Sequence, residues 1–196
     1  MNAVTILGSD ELRGTYLLRI VIADDLNVRF GRFRQGAPVA VSRGDLVYVG
    51  SAMARTGSMT LARRLLRHAT RRPPKQPHNL RPMLAEALHT AGLAPSGIQL
   101  PAKKKLFWNI DYLLDEEAAH LQHVTILRSA DRLEDNVAAM LLADPSCQPV
   151  APGLGAHDRP GSTHLLQVHA DDDWWKTLPL RFAELLGSQT LNPDRR

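Results

Sequence analysis

Two hydrophobic periods alternate along this chain, and each change of period marks an element. In GTYLLRIVI, residues 14–22, Tyr16, Leu18, Ile20 and Ile22 fall on one side of an extended chain and Thr15, Leu17, Arg19 and Val21 on the other, which predicts a strand. Asp24-Asp25 signals a turn, and Asn27 to Phe33 alternates Val28 and Phe30 against polar neighbours as a second, antiparallel strand. Arg34-Gln35-Gly36 turns the chain toward a third, Leu46 to Val49, which ends in the small residues Gly50, Ser51 and Ala52. The period then becomes helical. Leu61, Leu65 and Ala69, widened by Ala62 and Leu66, share a face behind a cap from Ser58 or Thr60.

Further on, Leu80 to Leu93 predicts a short helix with Pro82 in its first turn. Phe107 to Leu114, FWNIDYLL, opens a helix with Trp108, Asp111 and Tyr112 on one side, continued weakly through Glu116 to Leu121. His123 to Leu127 alternates as a strand. Asp131 to Ala143 is a helix in which Asp131 and Glu134 form the D-x-x-E capping pattern. Gly153, Gly155 and Gly161 allow tight turns, with Asp158 among them, and His164 begins a short strand. Trp174, Leu178, Phe182 and Leu185 are spaced to pack a closing helix over 171–186. The predicted fold is α+β: a small, mainly antiparallel, three-stranded central sheet flanked by helices, with a helical insertion and a C-terminal strand–helix extension.

Composition narrows the classes without choosing one. With 196 residues, 44% hydrophobic and 22% charged, one globular domain over 1–187 is expected, with a polar, flexible tail over 188–196. The proline-rich stretch 72–105 reads as a surface insertion, too short for its own core. Cys147 is the single cysteine, which excludes an internal disulfide and a multi-cysteine zinc site. No segment has the length and apolarity of a membrane span or leader, so a cytoplasmic protein without membrane partners is expected. A net charge of +4 permits nucleic acid as a partner without demanding it.

Charge and aromatic placement supply the candidate chemistry. Arg64, His68 and Arg71, with Arg67 beside them, form a basic stripe that faces either solvent or phosphate. Lys103, Lys104 and Lys105 are either a solvated loop or a nucleic-acid contact. Tyr16 and Tyr48 suit strand packing, Trp108 and Tyr112 suit a core, and Asp111 suits a buried hydrogen-bond acceptor. Asp158 and His164 are supporting groups or metal ligands.

Gly14-Thr15-Tyr16 and Tyr48-Val49-Gly50, with Arg64 on the next helix and Glu134 at the start of a later one, resemble the GIY-YIG endonuclease superfamily. YVGSA (48–52), RLLRH (64–68), WNIDYLL (108–114) and GLGAHD…THL (153–165) extend the resemblance to a small branch of it, sometimes fused to an endonuclease III-type repair glycosylase. The chain departs from that branch at Asn109, where histidine is usual, and at Arg159, where cysteine follows the aspartate.

The resemblance implies a metal-dependent endonuclease acting on DNA, with RNA as an alternative substrate and DNA repair, alongside a repair partner protein, as its setting. Tyr16 and Tyr48 would stand near the attacking water, one of them helping to deprotonate it. Arg64 would bind the scissile phosphate, and Glu134 would hold Mg2+ or Mn2+. Arg67, His68, Arg71 and Lys103 to Lys105 would contact nucleic acid, and Gly50, Ser51, Trp108, Asn109, Asp111, Asp158 and His164 would support the site. The departures leave a non-catalytic nucleic-acid-binding module on the same scaffold as the alternative. The hydrolase reading requires both phenols, the guanidinium and the carboxylate to converge on one open cleft, and it fails if either ring is sealed or Glu134 turns away.

Overall fold

The computed structural model describes residues 3–8, 10–98, 104–155 and 163–190. Lys103 and Asp158 lie outside the described residues, as does the end of the expected tail. Eight strands are present among the described residues: β1 (Val4–Gly8), β2 (Gly14–Ile22), β3 (Leu26–Val28), β4 (Val39–Val41), β5 (Gly44–Ala52), β6 (Ala119–Arg128), β7 (Cys147–Pro149) and β8 (Leu165–Val168). The helices are α1 (Leu61–His68), α2 (Arg81–Thr90), α3 (Asn109–Leu114), α4 (Glu134–Leu142) and α5 (Asp172–Thr190).

The α+β class holds, but the sheet is larger than the expected three strands. Six strands run in the order β1-β6-β2-β5-β8-β7, and β3 and β4 form a separate pair. β2 pairs antiparallel with β5, setting Tyr16 opposite Gly50 and Leu18 opposite Tyr48. β6 flanks β2 on its other side, β1 joins β6 in parallel, and β8 joins β5. The expected second strand at Asn27 to Phe33 shrinks to β3, outside the main sheet. Gly31 at φ +60° and Arg34 and Gln35 at φ +46° and +58° bend the chain away from extended geometry there. A Cβ at Gly31 would meet the Tyr112 hydroxyl at 3.0 Å, so the bend is also a close approach.

Helices cover both sides of the sheet. Tyr16, Leu18, Ile20 and Tyr48 face a core shared with α1, α2 and α3. Leu17, Val47, Val49 and Leu127 face a second core built with Val137 and Leu141 of α4 and Trp175, Leu178 and Phe182 of α5. The segment expected as a surface insertion sends Leu80, Leu84 and Leu88 into the first core. On α5 the buried stripe starts at Trp175 rather than Trp174, because either spacing satisfies a helical face and packing decides. Trp174 instead donates Nε1–H to Asp144 at 2.9 Å, so the two tryptophans do not form a free surface.

Two local predictions fail for reasons that matter to the site. The helical continuation through Glu116 to Leu121 is absent: α3 ends at Leu114, where the Asp115 carboxylate accepts from the Arg72 amide and guanidinium, and Ala119 already belongs to β6. The capping pattern at Asp131 is also absent. α4 begins at Glu134 without a side-chain cap, because buried Leu133 donates its amide to Thr15 Oγ1 of β2 at 3.0 Å. Glu134 therefore occupies the first helical position instead of closing a capping box.

Candidate functional site

β2, β5 and α1 gather the aromatic residues. The Tyr16 and Tyr48 ring centroids lie 6.4 Å apart, and both rings contact the His68 imidazole. Gly50 makes this possible: a Cβ there would stand 2.6 Å from Tyr16 Cζ, so only glycine lets the ring lie across β5. Tyr16 is 1% exposed, and its hydroxyl meets His68 Nε2 at 2.9 Å. Burial pushes its pKa well up, and the nearby Arg64 charge pulls the other way without overcoming it. The expected placement of Tyr16 beside an attacking water is corrected: the ring is sealed.

Behind His68 sits Asp111, fully buried on α3. Its Oδ2 accepts from the Phe107 and Trp108 amides at 3.0 and 3.1 Å and from Arg67 at 2.8 Å. Its Oδ1 faces His68 Nδ1 at 3.4 Å and Lys104 Nζ at 3.7 Å. Burial alone would raise the Asp111 pKa, but these donors and the nearby cationic charge together hold it well below the usual carboxylate range. Burial lowers the His68 pKa, so the ring is neutral near pH 7. A carboxylate beside Nδ1 favours the proton there, leaving Nε2 to accept from the Tyr16 hydroxyl.

The basic stripe is not a free face. His68 is sealed, and Arg67 donates to the Lys105 carbonyl at 2.6 Å as well as to Asp111. Arg71 donates to the Ala119 and Leu114 carbonyls at 2.5 and 3.3 Å. Lys104 is buried, donates to the Thr70 carbonyl at 2.6 Å, and has its pKa lowered to about 8 by burial. His68 and Lys104 are therefore corrected from nucleic-acid contacts to interior groups, while Arg67 and Arg71 are engaged by internal acceptors. Only Lys105 of the described lysine cluster is exposed.

In front of this cluster opens a cleft of about 270 Å³, lined by Tyr48, Ser51, Arg64, Trp108, Arg132 and Glu134 among others. Arg64 donates Nη1–H to the Ser51 carbonyl at 2.6 Å and lies 4.6 Å from the Trp108 ring centroid. Ser51 Oγ donates to Glu134 Oε2, and His164 Nδ1 stands 3.0 Å from Glu134 Oε1. Burial works to raise the Glu134 pKa, but these two partners bring it below the usual value. Gly155, at φ +93°, fits between His164 and Tyr48, where a Cβ would come within 3.1 and 3.4 Å of them. Tyr48 is 6% exposed, and burial raises its pKa well above the ordinary phenol value.

Three of the four expected catalytic residues thus share the cleft, arriving from β5, α1 and α4, while Tyr16 lies behind it. Gly50, Ser51, Trp108 and His164 support it, and Asn109 is buried at the first position of α3. Sequence reasoning missed Arg132, which precedes Glu134 by two residues and carried no signal beyond its charge. It also missed that Phe107, read as part of an apolar block, is 68% exposed.

Glu134 is the one acidic residue lining the cleft among the described residues, and no group of three or more His, Cys, Asp or Glu able to hold a metal occurs there. A magnesium ion, which keeps several waters and takes one or two carboxylates plus substrate oxygens, fits such a donor set better than zinc does. No helix among the described residues is long and apolar enough to cross a membrane.

A family model described as domain of unknown function DUF123 matches residues 15–185, and the chain belongs to that family. No curated protein and no solved structure matches it.

Proposed function

We propose that this member of the DUF123 family is a metal-dependent endonuclease acting on DNA, on a scaffold similar to the GIY-YIG nucleases. The observation that carries the reading is the meeting of Tyr48, Arg64 and Glu134, distant in sequence, at one cleft. The antiparallel β2–β5 pair followed by α1 supports the scaffold likeness.

A phosphodiester is an anion, so attack by water needs charge neutralisation. Arg64 offers directed donors at the cleft, held by the Ser51 carbonyl and the Trp108 face. Arg132 adds a second positive group. Glu134, oriented by Ser51 and His164, would hold Mg2+ or Mn2+, which supplies further charge neutralisation and a more acidic bound water. Tyr48 stays protonated and acts as a hydrogen-bond donor rather than a base. Tyr16 takes no part at the water; it braces the cleft floor through His68.

The sealing of Tyr16 rules out the four-residue hydrolase expected from the sequence; the endonuclease proposed here rests on Tyr48, Arg64 and Glu134 alone, and the loss of Tyr16 favours a second reading: a module that binds nucleic acid without cutting it. Labelled branched, nicked and single-stranded DNA, and matched RNA, incubated with Mg2+ or Mn2+ separate the two. Cleavage by the wild type that falls about 100-fold or more in Arg64→Ala and Glu134→Ala supports the endonuclease. Salt-dependent binding without any cleavage establishes the second reading. Variants that cut as well as the wild type overturn the residue assignment.

A further inference from the structure

Phe107 is the most exposed large apolar side chain among the described residues, at 68%. An exposed aromatic is ordinary when scattered, but this one is neither isolated nor loosely held. Its ring packs edge-on against Trp108, with centroids 5.0 Å apart and planes at 84°. Trp108 lines the cleft, and its ring carries the Arg64 guanidinium 4.6 Å from its centroid. The Phe107 amide donates to the buried Asp111 carboxylate at 3.0 Å, so a rigid anchor presents a free ring. Met59, 44% exposed, also lines the cleft, and its sulfur lies 3.7 Å from Arg64 Nη2. The result is a cationic floor with an apolar, aromatic lip.

We propose that Phe107, backed by Trp108, is a stacking platform for an unpaired nucleobase adjoining the phosphate that Arg64 binds. This rests on the nucleic-acid reading above and names its substrate class: single-stranded or locally unpaired strands rather than intact duplex. Two ring contacts, of 4.6 and 5.0 Å, link the guanidinium to the Phe107 ring, so a strand whose phosphate meets Arg64 passes close to that ring. A base inside a duplex has both faces covered by its neighbours and offers none to a ring; an unstacked base does. A ring anchored through its backbone loses little freedom on stacking, which favours this use over an adaptable contact.

The test is binding in EDTA, so that cleavage does not intervene, read by anisotropy of labelled oligonucleotides. The ligands are a single-stranded DNA, its RNA counterpart, the blunt DNA duplex and the same DNA strand carrying central abasic sites. The expected result is that the wild type prefers the single strands to the duplex by about 10-fold or more, and the intact strand to the abasic one. Phe107→Ala should weaken single-strand binding between about 5- and 100-fold, leave the abasic strand unchanged, and be rescued by Phe107→Tyr. The DNA and RNA arms identify which sugar the site takes. Equal wild-type affinity for duplex and single strand, or a Phe107→Ala change that is absent or equal across all four ligands, overturns the platform while the proposed function stands. Absence of binding to every ligand, both in EDTA and with Ca2+ in its place, overturns both.

Discussion

Two pairs of a carboxylate with an imidazole lie on either side of the cleft floor, and their surroundings differ. Asp111 and His68 are sealed, and four further donors surround the acid: two amides, Arg67 and Lys104. Glu134 and His164 stand at the cleft, where the Glu134 side chain is 15% exposed and Ser51 is its other hydrogen-bond partner. The first acid is closed to any ligand by burial, with its Oδ1 facing only His68 and Lys104. The second keeps lone pairs facing an open space. One chemical pairing thus builds an interior in one place and a candidate reaction site in the other, and the difference lies in which carboxylate reaches the cleft.

The largest effect that would break this contrast is on the sealed pair. Asp111→Ala strips the counter-ion from buried Lys104 and from Arg67, and should cost about 3–5 kcal/mol in urea denaturation. A loss below about 1 kcal/mol, the range of exposed ion pairs, would place Asp111 in the same class as Glu134. Acidification is expected to act next. The folded-state pKa of His68 lies below 6.5 and that of His78 falls to about 3, both from burial, so the unfolded chain takes up protons that the folded chain refuses. Their contribution is complete above pH 6.5 and declines below it. Asp111, with its pKa depressed from 3.8, keeps its contribution until the pH falls below about 4. A two-stage decline in melting temperature is the expected record, and in Asp111→Ala the lower stage should shrink.

The smallest effect concerns the open pair. Ser51→Ala should change stability by about 1 kcal/mol or less, since the bond it removes is only partly buried. It should raise the Glu134 pKa toward its usual 4.5, which shifts the acidic limb of any metal-binding or cleavage profile upward in pH. A profile that does not move would show that His164 and the Arg132 charge set the acidity of Glu134 without Ser51.

The parts of the fold carried by local pattern were legible. β2, β5, α1, α2 and the start of α3 fall where periodicity put them, because both faces of β2 and one face of each helix bury apolar residues, whereas the side-chain cap expected from Ser58 or Thr60 does not form: Thr60 precedes α1 without a cap bond. What was hidden depends on distant partners. β1 is short and half-buried, so it shows no alternation, and its only ladder among the described residues is to β6. The start of α4 moved because Thr15 captures the Leu133 amide, a competition that no reading of the D-x-x-E spacing contains. At the site, Arg64 and Glu134 were legible through motif likeness. The basic stripe misled because the charge sequence is silent on its acceptors: Asp111 and the carbonyls of Leu114, Ala119 and Lys105 come from other elements.

The parallel ladder between Val4–Gly8 and Val124–Arg128 has a consequence for how the molecule is made. β1 leaves a ribosome more than a hundred residues before its partner β6, so an apolar ribbon must wait, unpaired, until β6 has been made. Closure of that outer edge is therefore a late event in assembly. Until it happens, the nascent chain carries in β1 a strand able to pair with another chain, which exposes it to aggregation there.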